Sequence, residues 1–457
     1  MLKMLMTKGS PLALALMLLL VTVLAGCSSD SSSSNDGKAS DGEWAGQKVK
    51  VQLIGDFSMD DSTDPITGVK TTGLKVLKEE FEKQHPGATV EFILMPWEGY
   101  TEKTQAMLTS GEADVYQMPG IADFAPQGLL EPLQPFIDKD SEFNPDIFID
   151  QQLDGWKALG PDSDELEIFG LPFFGDARFI TYDKKLFDDW GVEYLSENPT
   201  MEEISEKAAK MTGKNPVTGE QNYGIWFRGD WSSAFTLMNA AEGLGGKWGS
   251  GFAWEEVKFE FNSPEMLKGL EWLLDMQKLA PEGIVSNQGN EKWMTKDNNI
   301  AIMLNTGPGE LVKQIEAQGL EDRIAIAQEF KNEEGKGGLF AGSPITIAKS
   351  SENKELAWEW LKFATSDFAQ QYFYETGAAF PSVKSALEWE SVKKHEDILG
   401  PVFEAMSTPY TPRYHWAAAQ PRFILTSEIE AALTGKRSAK EALDKAQKES
   451  TEWLKTR

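Results

Sequence analysis

The chain begins its folded part with an alternation of strand-like and helix-like patterns of apolar residues. Residues 49–54 and 88–95 alternate or cluster apolar positions as strands do, and residues 113–118 predict a third strand. Between them, residues 74–85 and 100–108 repeat apolar positions at helical spacing. This β-α-β-α-β order predicts a mostly parallel sheet covered by helices, with ligands bound outside the carboxyl ends of the strands.

A second series of the same kind starts near residue 178. Residues 178–183 predict a strand, and a capping box of Thr200 and Glu203 predicts the start of a helix. Residues 299–305 and 323–330 predict two further strands. The second series is therefore α/β as well. Because 457 residues exceed the size that one core serves, we expect two lobes.

Composition limits the classes of function. The chain has 72 acidic and 44 basic residues, a net charge of -28, which argues against contact with nucleic acid or an anionic membrane surface. One cysteine and three histidines provide neither a disulfide nor a spaced metal-ligand motif. We expect no cofactor and no metal. The acidic loop 58–72 lacks EF-hand spacing, so it predicts a rim loop or lid in preference to a calcium site.

The N-terminus explains the single cysteine. Lys3 and Lys8 precede an apolar run over residues 11–26, which is typical of an export signal and short for a membrane-spanning helix. Residues 24–27 (LAGC) resemble the bacterial lipobox, so we predict a signal peptide over residues 1–26 and lipid attachment at Cys27. The alternative is a buried free cysteine, which does not fit the Ser and Asp residues that follow. Residues 27–44 then form a lipidated, flexible tether.

Several blocks in order resemble extracellular solute-binding proteins of ABC sugar importers, in particular the maltose-binding-protein-like cluster. The blocks are residues 111–120 (GEADVYQMPG), 169–192, 212–225, 341–386 and 431–454. The resemblance implies a two-lobed periplasmic-binding-protein-like fold, type II and cluster D-like, with a mostly parallel sheet flanked by helices in each lobe. A ligand would be gripped in the cleft between the lobes, which close over it by hinge motion.

The same resemblance predicts where the chain passes between the lobes. Passages are expected near Asp176, Ile324 and Ala378. The lobes that follow are residues 45–176 plus 325–377 for the first, and residues 177–324 plus 378–457 for the second.

A sugar presents hydroxyl groups at its rim and C–H groups on its faces, so its site needs acidic acceptors and aromatic rings. By motif, the resemblance assigns the polar roles to Asp56, Asp123, Asp176 and Arg178. Each acid follows a predicted strand or lies in a passage between lobes. The alternative for each is a solvated surface carboxylate, and Arg178 could instead pair with a neighbouring acid.

The stacking roles go to Trp97, Trp231 and Trp416, with core packing as the alternative for each tryptophan. Gly309 stands where the maltose-binding pattern carries a stacking tryptophan. This departure indicates a pose other than that of a maltodextrin.

The sequence therefore predicts a non-enzymatic, lipid-anchored binding protein for a carbohydrate, most simply an oligosaccharide, that works with ABC permease subunits. We expect a monomer that is anchored to the extracellular face of the cell membrane of a Gram-positive bacterium. The rivals are an exported glycoside hydrolase and a binder of a cationic or peptide solute. No nucleophile-elbow, Walker, dinucleotide-binding or zinc-protease motif occurs in the sequence.

Overall fold

The computed structural model describes residues 42–456 except 64–69, 98, 119, 151, 162, 177, 231, 252–255, 308–310, 331–341 and 407–418. The chain divides into two units, Met1–Ala39 and Ser40–Arg457. All described residues belong to the second unit.

The strands of the described residues, in chain order, are β1 (Lys48–Ile54), β2 (Ser62–Thr63), β3 (Lys70–Thr71), β4 (Thr89–Met95), β5 (Val115–Gln117), β6 (Lys157–Leu159), β7 (Leu166–Ile168), β8 (Leu171–Phe174), β9 (Phe179–Asp183), β10 (Gly213–Lys214), β11 (Gln221–Trp226), β12 (Gly249–Ser250), β13 (Lys258–Phe259), β14 (Ile300–Thr306), β15 (Ile324–Gln328) and β16 (Ser343–Ile347).

The helices are α1 (Lys75–Gln84), α2 (Tyr100–Ser110), α3 (Gln134–Lys139), α4 (Lys184–Trp190), α5 (Met201–Lys210), α6 (Ser233–Gly243), α7 (Pro264–Met276), α8 (Leu311–Gln318), α9 (Lys354–Ala364), α10 (Asp367–Glu375), α11 (Glu390–Lys393), α12 (Glu396–Met406), α13 (Ala419–Leu433) and α14 (Ala439–Leu454). Short 3-10 turns occur at Pro145–Ile147, Asp154–Trp156, Gln277–Leu279, Ile284–Ser286 and Lys384–Glu388.

Two principal sheets organise the described residues. The first has the strand order β4-β1-β5-β16-β8, and the second has the order β10-β11-β14-β9-β15. Both are mixed, whereas the sequence predicts mostly parallel sheets. In the first, β16 runs antiparallel to both β5 and β8. In the second, β9 runs antiparallel to both β14 and β15.

The strand directions bring the carboxyl ends of the sheets to one junction. In the first sheet β1, β4, β5 and β8 all end at the same edge. In the second sheet β11, β14 and β15 end where β9 begins. The chain leaves β8 at Phe174 and enters β9 at Phe179, a connection that spans at most about 18 Å. The two carboxyl edges therefore lie close together.

Each sheet has its own apolar core. The first core holds Val51, Leu77 and Trp360 among its fully buried residues, and the second holds Ile225 and Leu270. We call the first sheet and its core the first lobe, and the second sheet and its core the second lobe.

Strand pairing and core packing both bear on the lobe boundaries that the resemblance predicts. Strand β15, expected to begin the return to the first lobe, pairs with β9 along residues 324–328, inside the second sheet. Residues 379–406, expected in the second lobe, contribute buried residues to the first core. Leu311, Ile315 and Ile324 already belong to the first core, so packing and strand pairing assign the start of β15 to different lobes. Buried residues of the first core then continue to Met406. The first predicted passage, near Asp176, coincides with the β8–β9 connection.

One local prediction is only half correct. The Thr200 hydroxyl accepts a hydrogen bond from the Glu203 backbone N–H at 3.1 Å, as an N-cap should. The Glu203 carboxylate does not complete the capping box, because it accepts hydrogen bonds from Ser196 and Lys207 instead. A full capping box does occur at the start of α14, between Ser438 and Glu441.

The described residues contain no helix long and apolar enough to cross a membrane. They also contain no cluster of three or more His, Cys, Asp or Glu side chains suited to a metal ion. In the acidic loop, Asp61 accepts a hydrogen bond from the Gly73 backbone N–H at 2.9 Å.

Candidate ligand-binding cleft

The β8–β9 connection carries an ion pair at the junction of the lobes. Arg178 Nη2 lies 2.5 Å from Asp176 Oδ2, and both side chains are about four-fifths buried. Gly307, directly after β14, faces this pair: a Cβ atom at that position would lie 2.9 Å from Arg178 Nη1. The absence of a side chain at Gly307 therefore makes room for the guanidinium group.

Two polar residues from neighbouring strand ends join this pair. Glu329 follows β15 and is 2% exposed, and its Oε1 accepts a hydrogen bond from the Asn305 backbone N–H at 2.7 Å. Asn305 adopts a positive φ of 52°, which is uncommon for a residue with a side chain. We call Asp176, Arg178, Asn305 and Glu329 the junction cluster.

Burial dominates the electrostatics of the junction cluster. It raises the pKa of Asp176 to about 6, against the opposing effect of the neighbouring Arg178 charge and hydrogen bond. It raises the pKa of Glu329 to about 7, against the Asn305 N–H and the Arg178 charge, which lower it. Near neutral pH, Asp176 and Arg178 form a charged pair, and burial favours the neutral, protonated form of the Glu329 carboxyl group. The cluster then carries little net charge.

Several atoms of the junction cluster are buried without a hydrogen-bond partner within the described part of the chain. These atoms are Asp176 Oδ1, Arg178 Nε, and both side-chain polar atoms of Asn305. Buried polar groups are ordinarily paired, so each orphaned atom calls for a partner from outside the protein chain. Together they offer both acceptors and donors, which is what a hydroxyl group requires.

A second group of residues connects the lobes directly. Arg422 Nη2, from α13, donates a hydrogen bond to the Tyr100 hydroxyl, at the start of α2, over 3.3 Å. The Arg422 Cζ atom lies 5.0 Å from the ring centroid of Phe235, in α6, and 5.6 Å from that of Phe423. Because α2 belongs to the first lobe and α6 and α13 to the second, this contact crosses the cleft.

Trp97 stands beside this crossing. Its ring centroid is 5.5 Å from that of Tyr100 in an edge-to-face arrangement, and 41% of the residue is exposed. It follows β4 at the carboxyl edge of the first sheet. The structure therefore places Trp97 outside the core, at the edge where a ligand is expected.

The other sequence-predicted residues fall in different surroundings. Asp56 is exposed in the turn after β1, and Asp123 is half-buried in the turns after β5. Both follow strands that end at the carboxyl edge of the first sheet. Trp231, Trp416, Gly309 and Cys27 lie outside the described residues.

Sequence reasoning missed four of the residues that meet at the junction. Asn305 is the penultimate residue of β14, and Glu329 directly follows β15. The rule that ligand-binding residues lie at strand ends, which pointed to Asp56 and Asp123 in the first lobe, could therefore have found both. Tyr100 and Arg422 gave no such signal, because their pairing joins residues more than 300 positions apart.

These features define a class of protein: two α/β lobes that hold a small polar ligand between the carboxyl edges of their sheets. Comparison with known proteins supports the same class. A family model described as "Bacterial extracellular solute-binding protein" matches residues 67–371, more than half of the chain. The chain therefore belongs to the bacterial extracellular solute-binding protein family. This confirms the sequence resemblance and places the chain among binding proteins, not enzymes.

Individual relatives are distant in sequence. A binding protein of Brucella abortus is 24% identical over 306 residues, which span 63% of this chain and 67% of the relative. The ABC substrate-binding protein Lmo0181 of Listeria monocytogenes, solved with cycloalternan, superposes with a TM-score of 0.70 at 20% identity, covering 89% of this chain and 99% of that one. An ABC transporter solute-binding protein of Agrobacterium radiobacter K84, solved with ribitol, gives a TM-score of 0.73 at 20% identity over 90% and 99%. The predicted fold class is confirmed.

Proposed function

We propose that this chain captures a carbohydrate between its lobes, closes over it, and delivers it to the permease of an ABC transporter. The observation that carries the proposal is the set of orphaned polar atoms in the junction cluster. A pyranose or polyol hydroxyl both donates and accepts, so it can satisfy Asp176 Oδ1 and the Asn305 amide together. The small net charge of the cluster suits a hydroxyl-rich group at this position.

The ligands of the structural relatives support the same chemical class. Ribitol and cycloalternan, bound in the Agrobacterium and Listeria proteins, are both polyhydroxylated. They differ greatly in size, so they do not indicate the size of the ligand of this chain. We propose an oligosaccharide because the Trp97 ring is exposed, and flat aromatic faces suit sugar rings.

Asp56, Asp123, Trp231 and Trp416 remain proposed ligand-binding residues, as the family resemblance implies. Asp56 and Asp123 would add acceptors from the first lobe. Trp231 and Trp416 would supply stacking faces.

The test is a melting screen of the full chain in detergent with neutral sugars: ribitol, maltotriose, cellotriose, xylotriose and mannotriose. A ligand at 100 times its dissociation constant adds about 2.7 kcal/mol to the stability of the state that binds it. We expect at least one of these sugars to raise the melting temperature. A panel in which only amines or peptides do so would favour the cationic-solute rival.

Asp176→Asn should weaken binding of that sugar at least about tenfold, because a charge-assisted acceptor is lost. Titration calorimetry measures the effect, and Asp146→Asn, a substitution at an exposed acid, is the matched control. Unchanged affinity in Asp176→Asn would remove the junction cluster from the site. Release of shorter sugars during incubation would support the glycoside hydrolase rival.

A further inference from the structure

Arg422 is a buried cation that has no acidic partner among the described residues. The residue is 8% exposed, and its Nε has no hydrogen-bond partner within the described residues. Its contacts are the neutral hydroxyl of Tyr100 and the rings of Phe235 and Phe423. Removing a charge from water without pairing it is unfavourable, so buried charges are normally found with a counter-charge.

The other arginines of the described chain follow that rule. Each has a carboxylate oxygen within 2.9 Å of a guanidinium nitrogen. The pairs are Arg178–Asp176, Arg228–Asp230, Arg323–Asp183 and Arg437–Glu428. In a chain with 72 acidic residues, an arginine left without one is therefore an exception.

The surroundings of Arg422 add further attraction for a negative group. Phe235 is the third residue of α6 and Arg422 the fourth of α13, so the first turns of two helices meet at the guanidinium. Helix N-termini carry partial positive charge and free N–H groups. The Ser232 and Ser233 hydroxyls, at the start of α6, are buried without partners in the described chain, and Ser232 makes no side-chain cap.

The position of Arg422 connects it with the ligand. Its hydrogen bond to Tyr100 crosses from the second lobe to the first, and Trp97 packs edge-on against the same tyrosine. The acid nearest to the start of α6 along the chain, Asp230, is already engaged by Arg228 through both carboxylate oxygens. Within the part of the chain that the structure describes, no carboxylate therefore pairs with Arg422 where the lobes meet.

We propose that Arg422 binds an acidic group of the ligand, a carboxylate or a phosphate ester, between the first turns of α6 and α13. The inference rests on the proposed carbohydrate function and narrows it to acidic sugars. The junction cluster would hold hydroxyl groups, and Arg422 would hold the anion. A ligand with both features contacts both lobes and so favours closure.

The experiment compares neutral sugars with acidic derivatives that differ from them only at C6. Titration calorimetry of the full chain in detergent would use glucose, glucuronate and glucose 6-phosphate, and the same three forms of galactose and mannose. We expect an acidic member to bind at least tenfold more tightly than its neutral counterpart. Whether the uronate or the phosphate ester binds more tightly identifies the source of the acidic group. The preference should shrink when the salt concentration rises from 0.05 to 0.5 M.

Substitution assigns the effect to Arg422. Arg422→Gln should abolish the preference and Arg422→Lys should retain part of it, while Arg437→Gln, at an arginine paired with Glu428, should leave it unchanged. In the absence of ligand, Arg422→Met should melt no lower than the native chain, because it removes an uncompensated charge. A purely structural Arg422 would instead give a lower melting temperature.

The outcomes separate the inference from the proposed function. If neutral sugars bind and no acidic member binds more tightly, the acidic-ligand inference is wrong and the carbohydrate function stands. If the preference persists in Arg422→Gln, the role of Arg422 is wrong. If no sugar of either panel binds, both proposals fail.

Discussion

At the scale of single residues, Glu329 couples the junction cluster to pH. Its pKa of about 7 lies above the ordinary value of 4.5 because the carboxyl group is buried. Between these two values the folded protein holds a proton that the unfolded chain releases. The stability contributed by the protonated form is therefore complete below pH 4.5 and is lost as the pH rises through 7.

We accordingly expect the melting temperature to fall between pH 5 and pH 8, and Glu329→Gln to flatten that dependence. Glutamine keeps an oxygen that can accept the Asn305 N–H bond. Calorimetry at pH 5, 6, 7 and 8 measures the slope, and Glu220→Gln, at an exposed acid, should leave it unchanged. Asp176, with a pKa of about 6, also makes the protein less stable as the pH rises, but over a lower pH range. This part of the pH dependence should persist in Glu329→Gln. An unaltered slope in Glu329→Gln would contradict the assignment.

The sequence predicted the residues of the junction that depend on local order. Asp176 and Arg178 are two positions apart between strands, so their pairing follows from the chain itself. The Arg422–Tyr100 contact depends on how two lobes meet, and no local pattern contains that information. Likewise, only the three-dimensional surroundings show that no acid of the described chain pairs with Arg422.

At the scale of helices and strands, apolar periodicity located most elements well. The predicted strand at 49–54 and helix at 100–108 correspond to β1 and α2. The sequence predicted less well which hydrogen-bond donor a given carboxylate binds. Glu203 has the right spacing for a capping box, yet Ser196 and Lys207 take its carboxylate because the preceding loop folds back over α5.

The contact between α5 and β11 depends on a glycine. A Cβ atom at Gly224 would lie 2.0 Å from the Ala208 carbonyl oxygen, and the Gly224 N–H donates to the Thr212 hydroxyl at 3.0 Å. Helix and strand can approach this closely only without a side chain at that position.

Gly224→Ala should therefore lower the free energy of unfolding by about 2–3 kcal/mol, the cost of forcing packed backbone apart. Chemical denaturation measures the change. Gly120→Ala is the matched control, because a Cβ there meets nothing within 4 Å, and it should remain within about 0.5 kcal/mol of the native chain. Equal stabilities for the two variants would show that α5 moves away at little cost.

At the scale of the whole molecule, the two-lobe architecture was predictable, but the sheet that each strand joins was not. The alternation of strands and helices, together with the family blocks, predicted two α/β lobes. The blocks carry no information about which strand lies beside which. Hydrogen bonding between β15 and β9 keeps residues 324–328 in the second sheet, where the blocks placed the return.

The proposed lipid anchor concerns the chain as a whole. Cys27→Ser should remove the acceptor thiol, so a protein expressed in a bacterial host should no longer enter the membrane fraction or incorporate a fatty-acid label. Fractionation and labelling with a palmitate analogue measure this, with Ser28→Ala as the control. Membrane retention and labelling equal to those of the native chain would contradict attachment at Cys27.

The order of strands in the first sheet also bears on synthesis and export. Strand β16 lies between β5 and β8, although it is the last of these strands along the chain. The principal strands of the second sheet, by contrast, are all present once residue 328 has been made. A nascent chain that has emerged to residue 330 can assemble its second sheet while β5 and β8 still present open edges.

The sheet that is encoded first is consequently completed last. Its edges stay available for wrong pairing until residue 347 emerges, so this interval is the period in which the polypeptide is most exposed to aggregation.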